Sequence, residues 1–301
     1  MSDKFSHPRY WGGWLLVSLL KALVLLPYKW QMNIGKSLGA LGYKYAKRRK
    51  HIAMSNLKAC FPEKSLAELE KDCKKSFESI GMSGIETIIA WFMSDKRFNK
   101  IKFEDNIHQA FKDRNKNNEQ VLILGSHFTC MEMIGRYMGT HYDNFNFVYQ
   151  KHKNPFFEYI MTSSRERYAK KCLQRKNVMA IVKTLRRGES VWYAPDQDFG
   201  NERSIFVPFF NIPCSTLVAT PWLSKMGKAP VMPCYYVRKD DLSGYEMHSS
   251  APWEDFPTGN DYDDALRYNI FLEDAIRKHP DQYLWQHRRF KTRAEGEDSI
   301  Y

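Results

Sequence analysis

The chain has 301 residues, of which 43% are hydrophobic and 15% aromatic, a composition that fits a packed globular domain and excludes a disordered protein. Its formal net charge of +12 favours anionic partners, whether nucleic acid, an acidic protein or a membrane of anionic lipid. The six cysteines contain no C-x-x-C pair, which excludes a zinc ribbon or a redox dithiol and suits a reducing cytosol.

The amino-terminal segment contains the longest apolar run. Between Tyr10 and Pro27 the only charged residue is Lys21, and the run is at the short end of the roughly 17 to 25 residues that a membrane-spanning helix needs. Seven lysines and arginines and no acidic residue lie between positions 29 and 50, which by the positive-inside rule places the following chain in the cytoplasm. A core helix of a soluble protein is the alternative. We therefore predict a membrane anchor over residues 1–33 and a cytoplasmic domain over residues 34–301.

After the basic stretch, the pattern predicts a helix, a break at Pro62 and a second helix that starts with a capping box formed by Ser65 and Glu68. From residue 121 onward, short apolar segments that predict strands alternate with helical segments. The predicted strands cover residues 121–125, 145–150, 190–196, 204–210 and 229–237, and the predicted helices cover residues 131–139, 155–174, 177–188, 216–227 and 263–280. This alternation indicates an α/β fold with a central mostly parallel or mixed sheet flanked by helices.

A candidate catalytic pair follows the first of these strands, in the stretch GSHFTCME. On a continuous helix His127 and Glu132 would point about 140° apart, so they meet only if His127 lies in the turn and Glu132 in the first helical turn. The carboxylate would then fix the tautomer of the imidazole and leave the other ring nitrogen as a general base. The alternative is structural, because Thr129 and Glu132 also have the spacing of a capping box.

Other catalytic signatures are absent from the sequence. It contains no G-x-S-x-G nucleophile elbow, no P-loop, no G-x-G-x-x-G after a strand and no H-E-x-x-H, and its nine histidines lack metal-ligand spacing. We therefore predict neither a protein nucleophile nor a metal or organic cofactor.

Two polar stretches are candidates for substrate contact. A basic helix is predicted over residues 165–176, and its cations suit phosphates or sugar carboxylates, although a solvated helix face is the alternative. Asp196 and Asp198 come at the end of a predicted strand, where α/β sheets bind ligands, but aspartate is also common in turns.

The pair His127 and Glu132 resembles the H-x4-D/E motif of the lysophospholipid acyltransferase superfamily. Six stretches, in order, are similar to the late acyltransferases of lipid A biosynthesis, which add a secondary acyl chain to Kdo-modified lipid IVA. These stretches are HPRYW (7–11), NLKACFPE (56–63), HFTCMEM (127–133), YAPDQDFG (193–200), FVPFF (206–210) and LWQHRRFKTRAEGE (284–297). Within that family, HFTC-x-E and the terminal HRRFKTR resemble the lauroyltransferase type.

The resemblance implies an α/β domain on the cytoplasmic face of the bacterial inner membrane, with an acyl-acyl-carrier-protein as donor and Kdo-modified lipid IVA as acceptor. It implies His127 as the base and Glu132 as its partner. The implied partners are acyl carrier protein, the lipid A precursor and anionic membrane lipid. The residues expected to contact substrate are Arg165, Arg167, Lys170 and Arg175, which the resemblance implies, and Asp196 and Asp198, which end a strand.

Two other functions stay open at this point. A glycerolipid acyltransferase of the lysophosphatidate type would share the superfamily, but the F-P-E-G-T block is missing, its nearest counterpart being Phe206–Phe210. A membrane-tethered protein that binds nucleic acid would use the same positive charge, but no RRM, helix-turn-helix or zinc-finger pattern is present.

Overall fold

A seven-stranded sheet lies at the centre of the protein, whose computed structural model describes residues 5–301. The strands, in chain order, are β1 (Lys102–Asn106), β2 (Leu122–Leu124), β3 (Phe145–Tyr149), β4 (Lys171–Gln174), β5 (Ser190–Tyr193), β6 (Ser204–Phe209), β7 (Ile212–Leu217), β8 (Val231–Arg238) and β9 (Gly244–Ser249). The sheet order is β1-β9-β8-β2-β5-β3-β4, while β6 and β7 form a separate antiparallel hairpin. All neighbours in the main sheet are parallel except β8 and β9. The predicted α/β class with a mostly parallel, mixed sheet is confirmed.

The helices pack against this sheet or against each other. In chain order they are α1 (Trp11–Leu23), α2 (Tyr28–Tyr45), α3 (Lys47–Cys60), α4 (Leu66–Phe92), α5 (Asp95–Phe98), α6 (Gln109–Lys116), α7 (Met131–His141), α8 (Pro155–Arg165), α9 (Val178–Arg186), α10 (Ala219–Gly227) and α11 (Asp261–Lys278). The break before α4 and its capping box are confirmed, because the Ser65 hydroxyl accepts from the Glu68 N–H and the Glu68 carboxylate accepts from the Ser65 N–H.

The centre of the sheet is apolar on both faces. β2 and β5 are buried at every residue, as expected of parallel strands that are covered by helices on both sides. The register pairs Leu122 with Val191 and Leu124 with Tyr193. The carboxyl ends of β2 and β5 therefore lie side by side, and the segments that follow them leave the sheet at the same edge.

The amino-terminal region contains two helices, whereas the sequence pattern predicts one. α1 has 13 residues and ends at Leu23, and α2 starts directly after Pro27. Proline lacks the N–H that a helix needs and disfavours helical backbone in the preceding residue, so α1 and α2 cannot join into one longer helix across Pro27. Within residues 5–301, no helix is both long and apolar enough to cross a membrane. The single spanning helix is therefore not confirmed, and the anchoring function of residues 1–33, of which the first four lie outside the described residues, stays a prediction.

An aromatic cluster joins the amino-terminal region to α8. The ring of Phe5 stacks on Tyr159 at a centroid distance of 4.9 Å, and the ring of Tyr10 stacks on Phe156 at 5.6 Å. Trp14 meets Phe156 edge-on at 5.1 Å. Such pairs each add about 0.5–1.5 kcal/mol beyond their buried area, so α1 and the segment before it are held against α8.

Several predicted elements need correction. The predicted basic helix over residues 165–176 is wrong, because α8 ends at Arg165 and the chain then turns into β4. The segment 204–210 forms a strand, but in the hairpin instead of the main sheet. Residues 216 and 217 end β7 and do not begin α10. Four strands, β1, β4, β7 and β9, lie in segments for which the sequence pattern predicts no strand.

Candidate active site

His127 and Asp196 meet because β2 and β5 are neighbours in register. Leu124 pairs with Tyr193, His127 lies three residues beyond Leu124, and Asp196 lies three residues beyond Tyr193. The two segments stay paired just beyond the strands, since the Gly125 N–H donates to the Tyr193 carbonyl over 2.9 Å. The two side chains therefore arrive at the same level of the carboxyl edge although 69 positions separate them.

The carboxylate of Asp196 binds His127 at two atoms. Its Oδ1 lies 2.6 Å from Nδ1 of the imidazole, and its Oδ2 accepts from the His127 backbone N–H over 2.9 Å. Burial by itself would lower the pKa of His127, but the charge of Asp196 and its hydrogen bond outweigh burial and raise that pKa above the ordinary value of 6.5. Burial opposes ionisation of Asp196 in the same way, yet His127 holds the pKa of that carboxyl below its ordinary value. An imidazole bonded through Nδ1 keeps Nε2 for proton transfer.

The turn that carries His127 is anchored from beneath by buried hydroxyls. Tyr268 donates to the carbonyl of Gly125 over 2.6 Å, and Tyr236 donates to the carbonyl of Ser126. Thr129 is held through its N–H, which donates to the Gln282 carbonyl over 2.9 Å. These bonds fix the backbone on both sides of His127, so the imidazole has a defined position before any ligand arrives.

The carboxylate of Glu132 is bound by other residues, not by His127. The Arg165 guanidinium donates to both of its oxygens, and the Trp91 indole Nε1 donates to Oε2 over 3.0 Å. His127 does lie in the turn and Glu132 in the first turn of α7, as predicted, but the two side chains are not bonded to each other: the imidazole is bonded to Asp196. Glu132 instead ties α7 to α8 and α4.

The capping-box interpretation of this stretch is also wrong. α7 starts at Met131 with Cys130 as its N-cap, and no side chain caps it. The Thr129 hydroxyl lies 2.7 Å from the hydroxyl of Ser79 on α4. In this structure Glu132 is therefore bonded neither to His127 nor to Thr129.

A cavity of about 500 Å³ opens beside the His127 side chain. Its apolar wall consists of Met131, Phe147, Val148, Tyr149, Met161, Val178, Ile181, Trp192, Tyr193, Ala194, Phe199, Leu217, Ala219 and Leu223. Its polar and charged lining consists of His127, Glu132, Gln150, Arg165, Arg175, Lys176, Gln197, Glu202 and Arg203. The volume falls in the range of about 300–1,000 Å³ that is common for small-molecule sites, and the mixture of a long apolar wall with a few polar groups suits an amphipathic ligand.

The predicted substrate-binding cations divide into two groups. Arg165 and Arg175 line the cavity. Arg165 forms the ion pair with Glu132. Arg175 is exposed, and its guanidinium lies 5.3 Å from the centroid of the Phe199 ring. Arg167 and Lys170 do not line it. Arg167 donates to main-chain carbonyls, among them that of Trp91. Lys170 pairs with the carboxylate of Glu189 at 3.1 Å.

The two predicted aspartates have different surroundings. Asp196 is buried and bonded to His127. Asp198 accepts from the N–H and the hydroxyl of Thr292, at 2.6 and 2.8 Å, and thereby attaches the carboxy-terminal segment to the loop after β5. The prediction that Asp198 contacts substrate thus has no support in its contacts, which are those of a structural residue.

Sequence reasoning missed several residues of the cavity. Lys176 and Arg203 line it beside Arg175, and the rings of Phe147 and Trp192 form part of its apolar wall. The basic residues 175–176 are recognisable from the sequence as part of a charge cluster. Whether their side chains point into the cavity depends on the turn after β4, which the sequence pattern does not predict. Among residues 5–301, no group of three or more His, Cys, Asp or Glu side chains is placed to hold a metal ion.

Comparison with known proteins assigns the chain to a family. A model for bacterial lipid A biosynthesis acyltransferases matches residues 1–292. The lipid A biosynthesis palmitoleoyltransferase of Escherichia coli (strain K12) is 39% identical over the whole of this chain and 97% of its own length. The lipid A biosynthesis lauroyltransferase of the same strain is 37% identical over 100% of this chain and 98% of its own.

A third relative is a lipid A biosynthesis acyltransferase of Haemophilus influenzae, 36% identical over 99% of this chain and 96% of its own. The matches extend over almost the full length of both partners, and they confirm the resemblance carried by the six sequence stretches. Identities of 39% and 37% to a palmitoleoyltransferase and a lauroyltransferase do not select one acyl chain. With its α/β sheet and a cavity beside His127, the chain is an acyltransferase and belongs to the bacterial lipid A biosynthesis acyltransferase family.

Proposed function

We propose that the protein transfers a fatty acyl chain from an acyl-carrier-protein thioester to a hydroxyl group of Kdo-modified lipid IVA. The observation that carries this proposal is the His127–Asp196 pair at the wall of a largely apolar cavity. Relatives named for palmitoleoyl and lauroyl transfer in lipid A biosynthesis support the transfer of a fatty acyl group to a lipid A precursor.

In the proposed reaction His127 acts as general base. Its Nε2 takes the proton of the acceptor hydroxyl while the hydroxyl oxygen attacks the thioester carbonyl carbon, and Asp196 stabilises the imidazolium that forms. The C–S bond of the resulting tetrahedral intermediate then breaks, and the thiolate leaves with the proton from the imidazolium. The first N–H groups of α7, which starts at Met131 on the cavity wall, are available to the oxyanion.

The charged lining suggests how the polar end of the substrate is held. Arg175, Lys176 and Arg203 line the cavity and have no ion-pair partner among the salt bridges of residues 5–301, whereas Glu202 is the only acidic neighbour in that lining besides the paired Glu132. An excess of cations at this point favours a phosphate or a sugar carboxylate. Both groups occur on Kdo-modified lipid IVA, and a phosphate also links acyl carrier protein to its thioester arm.

Glu132 and Arg165 are proposed to shape the site without proton transfer. Each side chain is 12% exposed, so the ion pair is largely removed from solvent. Removal of the carboxylate would leave the Arg165 guanidinium unpaired in the cavity wall, and its position would no longer be defined. Glu132 is therefore a positioning residue in this proposal, and Asp196 takes the part that the sequence motif suggested for Glu132.

Membrane attachment is proposed to use the surface of α1. Four of its large apolar side chains are more than half exposed, namely Trp11, Leu15, Leu16 and Leu19. An apolar helix surface followed by a basic segment is typical of helices that lie in the membrane interface and meet anionic lipid. We propose that the protein works at the cytoplasmic face of the bacterial inner membrane, with α8 and the adjoining cavity close to the lipid.

The decisive experiment supplies purified protein with palmitoleoyl and lauroyl donors on acyl carrier protein and with either Kdo-modified lipid IVA or lysophosphatidate. Mass spectrometry of the lipids should detect acylation of lipid IVA alone. His127→Asn should abolish the product, while His141→Asn, at an exposed histidine at the end of α7, should not change it. Acylation of lysophosphatidate, or unchanged product from His127→Asn, would contradict the proposal.

A further inference from the structure

We infer that Gly135 is a specificity-determining residue, which sets the depth of the cavity for the acyl chain through the ring of Phe147. This inference rests on the proposed function, since it assumes that the apolar part of the cavity receives the donor acyl chain. Phe147 projects from β3 and forms part of the cavity wall, while Gly135 lies on α7. A Cβ atom at position 135 would lie 2.7 Å from Cζ and 2.8 Å from Cε1 of Phe147.

These distances are too short for any side chain at position 135 unless the Phe147 ring moves. The clash involves only the far end of that side chain, whereas the main chain of β3 is hydrogen-bonded to β4 on one side and β5 on the other. A ring can turn about its side-chain torsions at a small cost, but a strand paired on both edges cannot shift without breaking its ladder. The added methyl group is therefore accommodated by displacement of the ring.

The neighbours of the ring decide the direction of that displacement. Phe145 meets it edge-on at 4.9 Å, and Tyr168 and Trp192 lie at 6.3 and 6.2 Å between centroids. Arg165 covers it at 5.9 Å. The free volume beside Phe147 is the cavity, so the ring moves into the space that an acyl chain would fill.

A second glycine packs in the same way against another ring of the cavity wall, that of Trp192. This supports the interpretation that two glycines determine where the wall lies. A Cβ atom at Gly125 would lie 2.2 Å from Nε1 of the Trp192 indole, which also lines the cavity. Gly125 belongs to the turn that carries His127, so a substitution there would disturb the base as well. Gly135 is free of that complication and is the position to test.

The test offers each protein an equimolar series of acyl-carrier-protein donors, from decanoyl to stearoyl, with Kdo-modified lipid IVA, and compares the products by mass spectrometry. Gly135→Ala should lower the ratio of long-chain to short-chain product by about tenfold or more, the effect of one methylene group in an apolar pocket. Phe147→Leu in the Gly135→Ala background should restore the longer chains. Gly84→Ala is the matched control, because a Cβ atom at that helical glycine would meet no heavy atom within 4 Å beyond its chain neighbours and the adjoining backbone of its own helix.

The outcomes separate this inference from the proposed function. If the unsubstituted protein acylates lipid IVA and Gly135→Ala keeps the same chain distribution, the inference is overturned while the proposed function stands. If the unsubstituted protein transfers no chain, the proposed function itself fails. Should Gly135→Ala not fold, Phe147→Leu alone decides the matter, because the shorter side chain should extend the product distribution to longer chains and an unchanged distribution would refute the inference.

Discussion

His127 lies at the carboxyl end of β2 with its Nδ1 directed at Asp196, and this bond governs how the imidazole titrates. Only the neutral imidazole can accept the proton of a hydroxyl, so activity should fall as the pH drops through the pKa of His127. Asp196 raises that pKa, which places the acidic limb of the profile above pH 6.5.

Asp196→Asn should lower kcat/KM about 10²- to 10⁴-fold, because His127 loses the carboxylate that orients the imidazole and stabilises the imidazolium. Without the carboxylate charge, burial would be the main influence on His127 and would lower its pKa, so the acidic limb should move to lower pH. The pH dependence of kcat/KM measures both effects. A limb that stays in place would exclude Asp196 as the partner of the catalytic imidazole.

Glu132→Gln tests whether Glu132 is the partner of His127, as the sequence motif suggests, or positions Arg165, as its contacts indicate. Glutamine can still accept from Trp91 Nε1 but cannot balance Arg165, so the protein should lose about 1–3 kcal/mol of stability and some activity. The acidic limb should stay where it is, because Asp196 remains. A shift of that limb comparable to the shift in Asp196→Asn would restore Glu132 as the partner of His127.

Among the secondary-structure elements, α4 and β8 are joined by a fully buried ion pair. The Arg238 guanidinium donates from Nε and Nη2 to both oxygens of Glu86, each over 2.6 Å, and the Tyr245 hydroxyl adds a third donor to Glu86. Arg238 also donates to Ser79, whose hydroxyl lies 2.7 Å from that of Thr129 in the turn after His127. Satisfied buried networks of this kind hold the packed elements in one arrangement.

Glu86→Gln should destabilise the protein by about 3–5 kcal/mol, because it leaves the Arg238 charge buried without a counter-charge. The free energy of unfolding, obtained from urea titration, checks this value. Glu119→Gln is the matched control, since it removes an exposed pair with Arg114 and should cost less than about 1 kcal/mol. Equal losses of unfolding free energy from the two variants would show that burial does not determine how much the Glu86–Arg238 pair stabilises the protein.

The exposed apolar surface of α1 is the proposed site of membrane contact. Leu16→Glu/Leu19→Glu should reduce binding to vesicles of anionic phospholipid by about tenfold or more, because each leucine withdrawn from lipid forfeits about 1.5–3 kcal/mol. Vesicle sedimentation measures the bound fraction. Leu66→Glu, at a leucine of similar exposure on α4, should bind as the unsubstituted protein does. Equal losses from both variants would argue against α1 as the contact surface.

For the molecule as a whole, burial determined which strands the sequence could predict. β2, β3, β5 and β8 lie inside the sheet, and their sequences are largely apolar short runs. β9 also lies inside the sheet, but its sequence GYEMHS is only partly buried and mostly polar, so no strand is predicted there. β1 and β4 are the edge strands, and their sequences KFEDN and KCLQ are polar because one edge of each faces solvent. The error of extending α8 through residue 174 has this origin, since nothing in the local pattern marks an edge strand.

The family, the α/β class, the capping box of α4 and the prominence of His127 were all evident from the sequence, because each is encoded by residues close together in the chain or by motifs in a set order. The partner of His127 was not. Glu132 is near in sequence, but Asp196 reaches the imidazole because β2 and β5 are neighbours in register. Strand order depends on how the whole sheet packs, so only the tertiary structure could decide which carboxylate meets the base.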